Sequence, residues 1–189
     1  MNDKVFSASK WERLVSEERQ ERQSVDKFLK IAEPKRDEVW ADIGCGPGYF
    51  TLPIAKKVKK VLAVDVKEQM LNICKSRAAD MNLENIEYIK SNENRLNIDT
   101  SSVDVVLLVN VYHEFPDDGK MISELNRILK KDGKLFLIDW HYEEMDFGPP
   151  LEHRIPEKTL IAELKSAGFS FISNYDIYSD NYTLEFVKG

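Results

Sequence analysis

One carboxylate, a run of glycines and a second carboxylate stand at spacings that suit a positively charged nucleoside. Ala41-Asp42-Ile43-Gly44-Cys45-Gly46-Pro47-Gly48 sits between an apolar strand-like run and a helical stretch. Glycines in such a turn let the backbone bend sharply and approach a ligand closely. Their spacing here is G-x-G-x-G, not the G-x-G-x-x-G of nicotinamide binders. Asp42 lies two residues before Gly44; a carboxylate there disfavours a pyrophosphate and attracts an ammonium group. Asp65 closes the next strand-like run, where an acid accepts hydrogen bonds from ribose hydroxyls.

A second group of reactive side chains follows two later apolar runs. Asn110, Tyr112, His113 and Glu114 come after one, and Asp139, Trp140, His141 and Tyr142 after the other. A histidine can titrate near neutral pH, so His113 suits a general base or a hydrogen-bond partner for a substrate; equally, it is a residue capping the strand end. Glu114 either orients His113 or is solvated. Tyr112, His141 and Trp11 are candidate substrate contacts. Imidazoles and a carboxylate at His113, Asp139 and His141 also suit a divalent ion, but nothing local supports ligand geometry, so no metal is expected. Trp140, Tyr142 and Phe147 either line an apolar pocket or pack on the N-terminal helices. His153-Arg154 either meets an anionic acceptor or forms a surface connection with a solvated arginine.

These residues need a frame, and hydropathy patterning supplies one. Apolar runs at Val39–Ile43, Val61–Val66, Ile86–Lys90, Val103–Val109 and Leu135–Ile138 read as strands. The run at 103–109 is almost continuous in branched residues, as in a strand buried on both faces. Helical spacing spans Ser24–Ala32, Tyr49–Val58, Lys67–Met81, Asp117–Lys131 and Pro156–Ala167, the last stopped by Gly168. Phe169–Tyr178 and Tyr182–Val187 read as strands joined through Ser179-Asp180-Asn181. The alternation predicts an α/β fold with a doubly wound, mostly parallel sheet, helices on both faces and an antiparallel C-terminal hairpin strand. Residues 1–35 read as a helical segment before a core at 36–189, all within a single domain. The charged run Glu17–Arg22 reads as a solvated helical face.

Together these motifs resemble the class I S-adenosylmethionine-dependent methyltransferases, which have a Rossmann-like sheet, over roughly residues 36–142. The resemblance implies that Asp42, Gly44, Cys45, Gly46 and Gly48 hold the methionine and ribose parts of the cofactor, that Asp65 binds the ribose and that Val66 packs on adenine. An adenine contact follows the third strand, at Asn92 or alternatively Glu93, and Asn110 joins the set at the active-site end of the fourth. Asp104–Glu114 and Arg127–Leu135 resemble the family's later landmarks, with Lys131-Asp132-Gly133 replacing the usual Pro-Gly-Gly turn. The closest flavour is similar to the ubiquinone/menaquinone-biosynthesis methyltransferases. It implies in-line methyl transfer to a small-molecule acceptor, leaving S-adenosyl-L-homocysteine. N-terminal segments in this family often cover the site, so Phe6, Trp11 and Arg13 are lid candidates; a helix packed permanently on the domain is the alternative. The competing readings are a non-catalytic S-adenosylmethionine-binding module and an NAD-dependent oxidoreductase.

The bulk composition narrows the partners. Of 189 residues, 27 are Lys or Arg and 33 Asp or Glu, for a net charge of −6. An acidic chain has no global attraction to phosphate backbones, so no nucleic-acid partner is expected. Two cysteines make no disulfide framework. The polar first ten residues and the lack of a membrane-length apolar run lead to an expected cytoplasmic location.

Overall fold

The computed structural model describes residues 8–92, 95–115 and 118–189. Among them, one sheet contains β1 (Val39–Ile43), β2 (Lys60–Asp65), β3 (Ile86–Lys90), β4 (Val103–Val109), β5 (Leu129–Trp140), β6 (Phe169–Asn174) and β7 (Asn181–Lys188). Their order is β3-β2-β1-β4-β5-β7-β6. β1 pairs in parallel with β2 and β4, β2 with β3, and β4 with β5. β7 runs antiparallel between β5 and β6. This is the Rossmann-like sheet expected, with its antiparallel C-terminal strand. The order reverses between β1 and β4, and ligands in open α/β sheets bind at the carboxyl ends of strands flanking such a reversal.

Side chains alternate across the sheet because successive Cβ atoms point to opposite faces. On β4, Val106 and Leu108 join the layer under α5 (Asp118–Ile128) and α6 (Glu157–Ser166), as does Val103 on the far side of a register shift between 103 and 105. Val105, Leu107 and Val109 join the opposite layer, under α2 (Val25–Ala32) and α3 (Thr51–Ala55). Both layers are closed, which is why β4 reads as an unbroken apolar run. Phe28 of α2 anchors the second layer, its ring edge-on to Trp40, Phe50 and Phe136. The remaining helix between strands, α4 (Glu68–Asp80), lays Cys74 and Ala78 on Leu52.

Several boundaries move. The helix expected at 49–58 shrinks to α3, with Pro53 in its first turn, where its missing N–H is not needed. The helix expected at 117–131 stops at Ile128 because Leu129 already pairs with Val103. The register then jumps to Val105↔Lys134, so residues 130–133 loop out of the ladder, with Asp132 at φ 61°. β6 ends at Asn174 rather than 178, since Tyr178 turns inward and donates to the Ser24 carbonyl at 2.8 Å. Upstream, the helical segment divides into a 3-10 helix (Ala8–Val15), α1 (Glu17–Arg22) and α2. The Ser16 hydroxyl caps α1 by accepting from the Arg19 N–H. Among the described residues no helix is long and apolar enough to cross a membrane.

Candidate functional site

The turn after β1 is folded by its own backbone. The N–H groups of Gly44 and Cys45 both donate to the Val64 carbonyl, at 2.8 and 3.0 Å, which ties the turn to β2. Gly44 has φ 73°, and a Cβ there would fall 2.5 Å from Val111 Cγ2, so only glycine fits between β1 and the end of β4. Gly46, at φ 52°, has space instead: a Cβ would meet only Leu14, at 3.8 Å. Gly48 lies behind the turn, over Cys74. Cys45 is buried with its side chain against Ala63 and Leu71. Its thiol is pushed well up by a hydrogen bond with Cys74 and by burial, and its backbone shapes the turn through bonds to Val64 and Gly48.

Asp65 ends β2 and reaches back under this turn. Its Oδ2 accepts from the Gly46 N–H at 2.9 Å and its Oδ1 from the Lys67 N–H at 2.8 Å. Burial raises its carboxyl pKa, and these two bonds oppose the rise. A carboxylate offers about four lone-pair positions, so both oxygens retain capacity to accept. Asp65 borders a cavity holding about 730 Å3 of empty space, part of it open to solvent. Gly44, Gly46, Val66 and Asn92 share its wall, and Leu14 covers it from the N-terminal segment. Its interior is mainly apolar, from Met70, Leu96 and Phe115. Glu93, the alternative to Asn92, and Phe6, a lid candidate, lie outside the described residues.

Asp42 and Asn110 lie beside the cavity, beneath the N-terminal segment. The Thr51 hydroxyl donates to Asp42 Oδ2 at 2.5 Å. Burial pushes the Asp42 carboxyl up to about 6; Thr51 and the Arg19 charge hold it from rising further. Asn110, in the left-handed region at φ 54°, accepts through Oδ1 from Asn181 Nδ2 at 2.9 Å. Its own Nδ2 donates to Gln23 Oε1 at 3.4 Å. Gln23, 3% exposed, donates to Asn181 Oδ1 and accepts from Arg19. Within the run expected to be solvated, Arg19 turns toward Gln23 and Tyr49, while Gln23, one residue beyond that run, makes the polar contact with the ends of β4 and β7. Hydropathy carries no signal for this, because polar residues facing inward look like polar residues facing water. Ser16 as a cap and Arg19 and Gln23 spaced one turn apart were the only clues available.

At the ends of β4 and β5, Asp139 rather than Glu114 orients His113. Its Oδ1 lies 2.8 Å from His113 Nδ1, and its two oxygens also accept from the backbone N–H groups of His113 and Trp140. Both side chains are buried, and Glu114 borders the cavity instead. Tyr112 is fully buried in the core, its ring edge-on to Phe115, rather than on the cavity wall. Trp11 is half-buried in the 3-10 helix, and Leu14, not Trp11, borders the cavity. His141 turns its ring edge toward Tyr182.

Arg154 takes neither role expected of it. It is 6% exposed and donates to the carbonyls of Pro149, His141, Glu143 and Phe147, so it holds the 141–150 loop together. Phe147 sits under the Arg22 guanidinium, 4.0 Å from ring centre, so this loop packs on α1. Tyr142 is exposed.

Comparison with known proteins agrees with this architecture. A family model described as a methyltransferase domain matches residues 41–137. Uncharacterized methyltransferase YcgJ of Bacillus subtilis is 29% identical over 119 residues, covering 63% of this chain and 47% of that protein. The ubiquinone/menaquinone biosynthesis C-methyltransferase UbiE of Rickettsia prowazekii is 31% identical over 122 residues, covering 61% and 49%. The chain therefore spans about half the length of these relatives. A crystal structure of a SAM-dependent methyltransferase from Aquifex aeolicus superposes with a TM-score of 0.91 at 29% identity, over 98% of this chain and 100% of that one.

Proposed function

The chain belongs to the methyltransferase domain family, and from that premise we propose that it uses S-adenosylmethionine to methylate a small-molecule acceptor. The observation that carries this reading is the cavity at the sheet's reversal point, with Gly46 open to it and Asp65 at its rim. The residues fit the cofactor. The apolar interior beside Val66 and Asn92 suits an adenine, and Asp65 suits the ribose hydroxyls. Asp42 is a buried carboxyl that an ammonium group would ionise. Once bound, the cofactor supplies a methyl group on a cationic sulfur.

The protein's task in such chemistry is chiefly to hold two reactants close and aligned, which alone supplies several kcal/mol. The glycine turn and Asp65 would fix the donor, and the N-terminal segment would exclude water. On the acceptor side, His113 is the candidate for taking a proton, although its buried ring is not among the side chains that line the cavity. With Nδ1–H directed at Asp139, the tautomer that leaves Nε2 basic is favoured. A small-molecule acceptor is supported by the likeness to UbiE, a C-methyltransferase of ubiquinone/menaquinone biosynthesis.

Isothermal titration of the full chain with S-adenosylmethionine and S-adenosylhomocysteine tests the donor half. Stoichiometric binding of both is expected, and silence with each would end the reading. A screen of acceptors with labelled methyl groups tests the acceptor half, and turnover would also exclude a purely binding module. With an acceptor in hand, His113→Ala should slow transfer while cofactor affinity stays within about twofold; equal turnover would return His113 to a structural role.

A further inference from the structure

The glycine turn is gripped by β2 on one side and by α4 on the other. β2 takes the N–H groups of Gly44 and Cys45 at the Val64 carbonyl, and Asp65 takes that of Gly46. α4 offers three side chains along one stripe, because residues three and four apart share a helix face. Met70 borders the cavity, Cys74 lies beneath Gly48, and Arg77 donates through Nη1 to the Pro47 carbonyl. Beside the Cys74 contact the turn is hollow. A second cavity, holding about 690 Å3 of empty space, part of it open to solvent, lies behind Gly48 and Tyr49. Val15, Gln20, Leu52, Met81 and Arg77 share its wall. Packing cannot hold a backbone where one side has no partner atoms, so the Pro47 carbonyl depends on its hydrogen bond. Burial lowers the Arg77 pKa. Among the described residues Arg77 makes no ion pair, and its hydrogen bond goes to that one neutral carbonyl. A guanidinium drawn partly out of water without a counter-charge is costly, which marks the carbonyl as its task.

Resting on the cofactor reading above, we propose that Arg77 is a positioning residue for the methyl donor: it fixes the Pro47 carbonyl, and with it the Gly46 backbone that faces the cavity. Arg77 acts from behind the turn and through it. Pro47 follows Gly46 directly, so a 46–48 backbone free to rotate into the hollow would turn the Gly46 N–H away from Asp65. In the cofactor reading the amino-acid half of the donor lies along this turn, whereas the adenine lies beside Val66 and Asn92. Loss of the clamp therefore costs the whole cofactor more than its nucleoside half. The alternative task for Arg77 is purely electrostatic. It stands in the last turn of α4, where a cation offsets the negative end of the helix dipole. That task affects stability alone, and a lysine performs it equally well.

The test titrates S-adenosylhomocysteine and adenosine calorimetrically into the wild-type chain, Arg77→Met and Arg77→Lys. Arg77→Met should bind S-adenosylhomocysteine about tenfold more weakly, the scale of one lost hydrogen bond from a charged donor, and adenosine less than about threefold more weakly. Arg77→Lys keeps a donor but not the planar fork, so its affinity should fall between wild type and Arg77→Met. Unchanged S-adenosylhomocysteine affinity in Arg77→Met, or an equal loss for both ligands, overturns the proposal. If Arg77→Met does not fold, Arg77→Lys decides: a loss confined to S-adenosylhomocysteine supports the role, and no such loss overturns it. Amide exchange of Gly46 and Gly48 in the unliganded proteins reads the clamp without any ligand. It should quicken in Arg77→Met, and an unchanged rate would mean that Arg77 does not hold the turn. Wild-type protein silent to S-adenosylhomocysteine removes the cofactor reading and the donor with it, while the exchange rates still judge the clamp.

Discussion

Asp42 and Asp65 are both buried acids at strand ends, yet their surroundings set them different tasks. Asp65 receives two backbone N–H groups and so also braces the turn it serves. Asp65→Ala should weaken cofactor binding by about 1–3 kcal/mol, the usual cost of losing hydrogen bonds to a charged group. Calorimetry would read this, and unchanged affinity would place Asp65 outside the site. Asp42 has Thr51 and the Arg19 charge for company, and burial still raises its carboxyl pKa to about 6. Between pH 4 and 6 the folded protein therefore keeps a proton that the unfolded chain has released. The unliganded fold loses stability as pH rises through that window, by about 3 kcal/mol in full. Asp42→Asn removes the ionisable group while its Oδ1 still accepts from Thr51. It should flatten the pH 4–6 slope in urea denaturation and stabilise the unliganded protein at pH 7 by about 1–3 kcal/mol. The same change should weaken S-adenosylmethionine. A variant with the wild-type slope would mean that Asp42 ionises normally in the fold.

The β1–α3 turn shows how one element constrains another. Gly44 needs a left-handed backbone and also touches Val111 beyond β4. Gly44→Ala combines a backbone penalty with an overlap, for about 2–5 kcal/mol of lost stability. Adding Val111→Ala should recover the overlap and leave the backbone part, so the double variant should be more stable than Gly44→Ala alone. Denaturant midpoints decide this; simple additivity would mean that the two do not press on each other. What made this turn legible in sequence is that glycines, a preceding strand and flanking acids are local signals. The strand positions were legible for a similar reason, since branched apolar runs mark strands covered on both faces. The loop-out at 130–133 was not, because Lys130-Lys131-Asp132-Gly133 carries turn chemistry that does not say Leu129 already pairs with Val103. Nor was the pairing of His113 with Asp139, 26 residues apart, which exists only once β4 and β5 lie side by side. Arg154 is the extreme case, a charged side chain read as surface that spends its donors on the carbonyls of one loop.

At the scale of the molecule, two apolar layers separated by the sheet supply most of the stabilising burial, and the site lies at their edge. The N-terminal segment joins that edge mainly through polar contacts: Gln23 with Asn110 and Asn181, Arg19 with Tyr49, and Arg22 with Phe147. Such contacts yield only about 1 kcal/mol each net, so this segment should open at lower free energy than the sheet. A ligand held between the segment and the core binds only the closed form. Its binding energy therefore appears both as global stability and as local closure. At a hundredfold excess over its dissociation constant, S-adenosylmethionine should stabilise the protein by about 2.7 kcal/mol. That corresponds to a rise in Tm of roughly 5–10 °C for a chain of this size. Amide exchange in residues 8–24 should slow more than in β1, β4 or β5, whose protection is already near the global limit. Adenosine alone, which lacks the amino-acid half, should raise Tm less and slow exchange at 8–24 less, since Leu14 is the residue of that segment bordering the cavity beside Asp65. Equal protection of this segment by both ligands would mean that it closes over the nucleoside half, and that the amino-acid half takes no part in holding it.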